Sequence, residues 1–142
     1  MNKLMIVMLS LLLASCTTIH VQTTTKELLA LEKKLQLIQE LKPIVNRIID
    51  TKAKSIFFPI FNKSDSVEPY ILNYIHSILC QEITASNIIV NVVENSKKND
   101  VNVAGIMENH SEKFYKVTVT IRKNDSLIEE LETLLPKKLL QR

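Results

Sequence analysis

Glycine and tryptophan are scarce in this chain, which has one glycine, Gly105, and no tryptophan among 142 residues. Phosphate-binding loops need several glycines so that backbone amides can approach the phosphate, so the sequence excludes P-loop and dinucleotide-binding sites. There are only two cysteines, Cys16 and Cys80, and Cys16 lies at the end of an amino-terminal apolar run that predicts lipid attachment. Cys80 therefore has no intramolecular partner, and the chain is not a disulfide scaffold.

An excess of one charge sign is also lacking, because 18 lysines and arginines stand against 15 aspartates and glutamates. A nucleic-acid-binding domain usually carries a strongly basic surface, so this balance predicts no nucleic-acid partner. The length excludes two domains. Cleavage of an amino-terminal signal peptide at residues 1–15 would leave 142 − 15 = 127 residues, enough for one domain with a modest core.

The chain opens with the pattern of a secretory signal peptide, in which Lys3 is followed by apolar residues 4–13, two small residues and a cysteine. An uncleaved membrane-spanning helix is the alternative. It would need about 20 apolar residues, and the polar residues from Cys16 onward end this run too early. The order Leu13-Ala14-Ser15-Cys16 resembles the lipobox of bacterial lipoproteins.

This resemblance implies that residues 1–15 are cleaved and that a diacylglycerol is attached to the sulfur of Cys16. Two acyl chains of the palmitate type supply the two hydrophobic signals that stable membrane anchoring requires. Thr17, rather than an acidic residue, follows the cysteine, which by resemblance to enterobacterial lipoproteins implies the outer membrane, facing the periplasm. We therefore expect a protein of the bacterial cell envelope, with residues 16–24 as a polar tether.

A helix is predicted over residues 25–50, because Thr24 and Glu27 form a capping-box pattern ahead of an apolar stripe. The stripe has the spacings of three and four that are typical of one helix face, and consists of Leu28, Leu31, Leu35, Ile38, Leu41, Val45, Ile48 and Ile49. We interpret it as a core-packing face, with a coiled-coil seam in a structural homo-oligomer as the alternative. Pro43 predicts a kink or a break near Lys42.

Residues 54–135 alternate between strand and helix patterns. Strands are predicted at 54–61, 87–93, 101–108 and 115–121, the last two as an antiparallel pair. Helices are predicted from Ser66, as N-cap, to about Glu82, with Pro69 in the first turn, and again at 127–134. This order predicts an α+β fold: a small, mostly antiparallel sheet with helices packed on one face, preceded by the long N-terminal helix.

Two segments of this predicted domain resemble one family of envelope lipoproteins. They are Phe58-Pro59-Ile60-Phe61-Asn62-Lys63-Ser64-Asp65, and Asp100-Val101-Asn102-Val103-Ala104-Gly105-Ile106 ahead of a long amphipathic strand. The family includes activators of penicillin-binding proteins, the curli-secretion lipoprotein, flagellar-assembly lipoproteins and the amino-terminal domain of TolB. The resemblance implies an accessory protein that binds a partner in a cell-wall, secretion or motility assembly.

His76 and Cys80 lie four residues apart, so they share one face of the predicted helix and could form a nucleophile–base pair or half of a metal site. No third residue with zinc-type spacing accompanies them. We therefore favour a packed cysteine beside a solvated histidine, with an envelope hydrolase or metal-dependent enzyme as the alternative. The sequence thus predicts no catalytic residue, no metal and no cofactor.

The remaining candidate site is a polar strand face that begins in the predicted strand 115–121. Lys116, Thr118, Thr120 and Arg122 alternate with apolar residues, so they share the side of the sheet that faces away from the core. Such a face is usually only solvated, but it is also the candidate surface for docking a protein. The sequence therefore predicts a lipid-anchored, non-catalytic binding protein, whose partners are the membrane and an envelope protein, with homo-oligomerisation as a further option.

Overall fold

A computed structural model of the chain describes residues 2–93 and 99–141, with side chains described from Thr25 onward. The chain forms two compact units, Met1–Leu35 and Gln36–Arg142. The first unit consists of the amino-terminal part of a helix. The second contains a five-stranded sheet, a second helix and the apolar core.

Helix α1 spans Asn2–Asp50 and contains Pro43. It continues past Lys42, so the predicted alternative of a break there is wrong. Proline removes the backbone hydrogen bond to the carbonyl four residues earlier, which belongs to Gln39. Because Pro43 and Gln39 are both exposed, water can satisfy the freed carbonyl, and the helix tolerates the proline.

The buried face of α1 lies in the second unit. It consists of Leu37, Leu41, Ile44, Val45 and Ile48, each at most 6% exposed. The predicted core-packing face is confirmed for this part of the helix. It is wrong for Leu28, Leu31 and Leu35, which are at least 50% exposed. Spacing identifies an apolar helix face but does not show which of its turns have an apolar partner.

Strand β1 (Ser55–Phe57), helix α2 (Pro69–Ala85) and strand β2 (Ile89–Asn91) form a β-α-β unit in which the two strands pair in parallel. Both strands lie within the predicted ranges but are shorter. The N-cap of α2 is Glu68 rather than Ser66, and Pro69 occupies the first helical turn as predicted. A proline there costs little, because the N–H groups of the first turn have no partner within the helix.

Strands β3 (Val101–Asn109), β4 (Phe114–Lys123) and β5 (Ser126–Pro136) follow one another as antiparallel neighbours. The pairing of β3 with β4 confirms the predicted antiparallel pair. The helix predicted at 127–134 is wrong, because these residues form most of β5.

The turn before β5 explains this correction. Asn124 and Asp125 have positive φ angles of 52° and 63°, and Lys123 pairs with Ser126 across the turn. Two positive φ angles are the requirement of the type I′ hairpin turn, whose twist matches that of the strands it joins. The leucines of β5 have a spacing that resembles that of a helix because they lie on both sides of the strand. Leu135 is buried on one side, whereas Leu134 on the other side is 41% exposed.

The five strands form one mixed sheet in the order β2-β1-β3-β4-β5. The predicted α+β class is confirmed, and the sheet is antiparallel from β3 to β5. It is parallel where β1 pairs with β2 and with β3. The crossover through α2 accounts for the first of these pairs, because it returns the chain in the same direction.

The only glycine lies where the loop after β1 packs on the sheet. Gly105 is on the core side of β3, and the ring of Phe61 occupies the position that a Cβ would take. Phe61 and Phe58 are 4% and 0% exposed, and their ring centroids are 5.9 Å apart. A larger residue at position 105 would displace Phe61 from the core, so packing requires the glycine here.

Candidate functional site

The predicted lipid anchor belongs to residues 1–24, whose side chains lie outside the described part of the chain. The lipobox Leu13-Ala14-Ser15-Cys16 and the tether at residues 16–24 therefore stay predictions. In the uncleaved chain α1 begins at Asn2, so the helix does not start at the predicted cap, Thr24. Within the part whose side chains are described, no helix is long and apolar enough to cross a bilayer.

Strand β4 places the four predicted surface residues on one side of the sheet. Lys116, Thr118 and Thr120 are half-buried and Arg122 is exposed, while Val117, Val119 and Ile121 between them are fully buried. Residues directly opposite in an antiparallel pair share a face. The outer face is therefore defined by these four residues together with their partners on β3, which are Asn102, Ala104, Ile106 and Glu108, and on β5, which are Leu127, Glu130, Glu132 and Leu134.

Charge is divided unevenly across this outer face. On the β3 side, Lys116 Nζ lies 3.8 Å from Glu108 Oε2. On the β5 side, Glu130 and Glu132 lie opposite Thr120 and Thr118, and in the described part of the chain neither carboxylate has an ion-pair partner. An acidic pair that forms no ion pair in the described residues therefore borders the outer face along β5.

Sequence reasoning missed this acidic pair because it predicted a helix at 127–134. In a helix, residues two positions apart point in different directions, so Glu130 and Glu132 would not form a pair. In a strand, residues two positions apart lie on the same side. The missed signal was Asn124-Asp125, a dipeptide that tolerates the two positive φ angles of a hairpin turn.

Strand β5 is an edge strand, since β4 is its only neighbour among the strands of the described residues. Helix α1 contacts its core-facing side: Arg47 Nη2 lies 2.8 Å from Glu129 Oε1, and the hydroxyl of Thr133 donates to the backbone carbonyl of Glu40 at 3.4 Å. Its exposed apolar residues are Leu127, Ile128 and Leu134, which are 41–56% exposed. These apolar residues lie on both sides of the acidic pair along the strand.

His76 is 6% exposed, which corrects the prediction of a solvated histidine. Its Nε2 lies 2.9 Å from the carbonyl oxygen of Phe58. Because a carbonyl only accepts hydrogen bonds, Nε2 carries the proton and donates it. The imidazole also packs edge-on against the rings of Phe58 and Phe61, with centroid distances of 4.8 and 6.1 Å. His76 therefore holds the loop after β1 against α2.

Cys80 is half-buried beside this histidine, with Sγ 3.4 Å from Nε2 and 3.8 Å from Nδ1. Burial raises the pKa of the Cys80 thiol from 9.0 to about 11. A cysteine nucleophile reacts as the thiolate, so a raised pKa works against that role. Nε2 is occupied by Phe58, which leaves only the more distant Nδ1 to accept the thiol proton. The open depression around Cys80 is lined by Ser77, Gln81, Thr84 and Ala85, which supply no acid or base.

Metal binding is not supported by the arrangement of possible ligands. Among residues 25–93 and 99–141, no three side chains of His, Cys, Asp or Glu are grouped so that they could hold a metal ion. His76 and Cys80 thus remain a pair without a third ligand.

Comparison of the chain with protein-family models, with curated proteins and with solved structures gives no match.

Proposed function

We propose that this chain is a lipoprotein of the bacterial cell envelope, held at the outer membrane by acyl chains on Cys16. The observation that carries this proposal is the order Leu13-Ala14-Ser15-Cys16 directly after a short apolar run. The run is too short to span a bilayer, and a cysteine preceded by two small residues suits both cleavage and lipid attachment. Two acyl chains on one sulfur are sufficient for stable anchoring without a spanning helix.

The anchored domain binds a protein partner and catalyses no reaction. Support comes from His76 and Cys80, the two residues that could have formed a nucleophile–base pair. His76 donates to Phe58, and the raised pKa of Cys80 keeps its thiol protonated. The partner belongs to a cell-wall, secretion or motility assembly, the class to which the sequence resemblance points.

The partner docks on the outer face of the sheet, around Lys116, Thr118, Thr120 and Arg122. Both helices pack on the opposite face. In support, the buried residues of α1 and α2 belong to the same apolar cluster as Val117, Val119 and Ile121 of β4. Outer-face residues such as Ile106, Glu130 and Arg122 are exposed instead, so this surface is available to a partner.

Replacement of Cys16 by serine tests the anchor. In cells fed a labelled palmitate analogue, the wild-type chain should carry the label, lose residues 1–15 and fractionate with the outer membrane. Cys16→Ser should carry no label, keep its full length and leave that fraction, because serine cannot form the thioether to diacylglycerol. Cys80→Ser is the matched control and should behave like the wild type. Unchanged labelling, length and fractionation of Cys16→Ser would refute the proposal.

A further inference from the structure

We propose that the free edge of β5 binds an extended segment of the partner that carries lysine or arginine at two alternate positions, and that this segment adds a sixth strand to the sheet. This inference rests on the proposed protein-binding function and makes it more specific. It moves the centre of the docking surface from β4 to the edge of the outer face, at Glu130 and Glu132.

The backbone of β5 is suited to receive another strand. An edge strand has a row of N–H and C=O groups that point away from the sheet and can pair with an added chain. In the described part of the chain, β4 alone pairs with β5, and no loop donates a backbone hydrogen bond to it or accepts one from it.

Three of the usual obstacles to strand addition are also missing from the middle of β5. Natural edge strands are often protected by short length, a central proline or a bulge. β5 is 11 residues long, its proline is the terminal Pro136, and its only register irregularity lies opposite Ile121 and Arg122, next to the turn. From Glu129 to Leu135 the edge is therefore uninterrupted.

The charges on β5 determine which strand fits. Glu130 and Glu132 are exposed on the outer face and lie opposite threonines on β4. Lys116 and Arg122 are two positions away along β4, but no ion pair joins either of them to these carboxylates in the described residues. A segment paired with β5 would place its own side chains directly opposite these carboxylates. Opposite charges in such cross-strand positions stabilise the pairing, and like charges destabilise it.

A second copy of this chain does not fit the same edge. In a two-fold antiparallel pairing of β5 with itself, centring on Leu131 places Glu130 of one copy opposite Glu132 of the other. Centring on Glu130 or on Glu132 places that glutamate opposite the same glutamate of the second copy. Each of these central registers therefore sets carboxylate against carboxylate, so pairing through the middle of the edge is unfavourable for a second copy and favourable for a cationic strand.

The neighbours of the acidic pair complete the recognition pattern. Ile128 and Leu134 flank Glu130 and Glu132 along the strand and are 49% and 41% exposed. A fitting segment therefore has an apolar residue, two cations and a second apolar residue at successive alternate positions. β-branched residues between them suit an extended backbone.

Binding of defined peptides to the full-length Cys16→Ser chain, which carries no lipid, tests this inference. The probe is a fluorescent, end-capped peptide with the core valine-threonine-lysine-threonine-lysine-threonine-valine. One control peptide replaces both lysines by glutamate. A second replaces the central threonine by proline, which keeps the charge but removes a backbone donor. Fluorescence anisotropy at low salt gives the affinities, and amide hydrogen exchange reports whether β5 becomes protected.

The lysine peptide should bind at least roughly ten-fold more tightly than either control peptide and should slow exchange of β5 amides. Glu130→Lys/Glu132→Lys should reverse the preference, so that the glutamate peptide binds better. The matched control Asp65→Lys/Glu112→Lys changes the net charge equally at two exposed loop positions and should keep the preference for lysine. Sedimentation of the same chain checks that the edge is not covered by a second copy.

Four outcomes would overturn the inference: no binding of the lysine peptide, equal binding of the proline peptide, an unchanged preference in Glu130→Lys/Glu132→Lys, or a dimer in which β5 is protected without peptide. None of them bears on membrane anchoring, which the acyl labelling of Cys16 decides separately. A chain that is anchored but does not bind the peptide would therefore refute the edge site alone.

Discussion

The Nε2–H of His76 is committed to the carbonyl of Phe58, which leaves Nδ1, 3.8 Å from Cys80 Sγ, as the only acceptor on the ring. A thiol in this position loses hydration and gains no cationic neighbour that would stabilise a thiolate. The same two residue types that suggest a nucleophile and a base therefore act here as packing and hydrogen-bonding groups. Desolvation of the Cys80 sulfur raises the pKa of its thiol, and a high thiol pKa works against a catalytic role for the pair.

The reactivity of Cys80 gives the first prediction at the residue scale. With its pKa at about 11 rather than 9.0, the thiol should react with iodoacetamide at pH 8 roughly 100-fold more slowly in the folded chain than in the urea-unfolded chain. The rate should keep rising up to about pH 11. Cys16→Ser leaves Cys80 as the only thiol and is the variant to label. Rapid labelling of the folded chain at pH 7 would favour the enzyme alternative instead.

The same pKa also fixes the direction of a pH dependence of stability. The folded state raises the pKa and so favours the neutral thiol. The contribution of this thiol to stability is fully present below about pH 9 and is lost as the pH rises towards about 11. Between these values, stability should fall more steeply for the Cys16→Ser chain than for Cys16→Ser/Cys80→Ala, as measured by urea unfolding.

The burial of His76 could not be predicted from the helix pattern, because its partner, the Phe58 carbonyl, lies 18 residues earlier in the chain. Periodicity places a residue on a face of its own helix and does not show what a distant loop brings to that face. The role of Gly105 was hidden for the same reason, since it depends on Phe61 from another element.

The elements whose residues carry a pattern within one segment were predicted. The elements whose structure depends on a turn or on a packing partner elsewhere in the chain were not. The alternation over β4 and Pro69 in the first turn of α2 are signals within one segment, and both predictions were confirmed. The stripe of α1 was predicted as one continuous face, but only turns from Leu37 onward have core partners. The outer face was predicted on β4, and its acidic border on β5 was missed.

The hairpin turn before β5 supplies a prediction at the element scale. Asp125→Gly should raise the free energy of unfolding by up to about 1 kcal/mol, because glycine adopts positive φ without strain and Asn-Gly is the preferred type I′ pair. Asp125→Val should lower it by about 1–2 kcal/mol, because a β-branched residue resists this conformation. Urea unfolding of the two variants and of a near-neutral Asp125→Asn control measures both effects.

A helix at 127–134 would reverse the sign of the effect of Asp125→Gly. Asp125 would then lie at the helix amino terminus, where its side chain could accept hydrogen bonds from the first turn and where glycine would remove that support. A chain in which Asp125→Gly is less stable than the wild type would therefore contradict the strand assignment of β5.

For the whole molecule, the order of elements was sufficient to predict the α+β class but not the strand order. The parallel pairs of β1 depend on where the crossover through α2 and the connection from β2 to β3 return the chain, and no pattern within β1 or β2 encodes their neighbours. The division of the chain into Met1–Leu35 and Gln36–Arg142 was likewise not visible in the apolar stripe, which runs through the boundary without interruption.

This division predicts that the second unit folds without the first. None of the described side chains between Thr25 and Gln36 is buried, whereas Leu37 and Leu41 are fully buried in the core. A chain that begins at Glu32, and so keeps one helical turn before Leu37, should unfold cooperatively with a free energy within about 1 kcal/mol of that of residues 17–142. A chain that begins at Lys42 loses both leucines and should be less stable by at least about 4 kcal/mol, since each buried leucine contributes about 2–5 kcal/mol. Chemical unfolding followed by circular dichroism compares the three chains, and a Glu32 chain without a cooperative transition would show that residues before the core are needed for the fold.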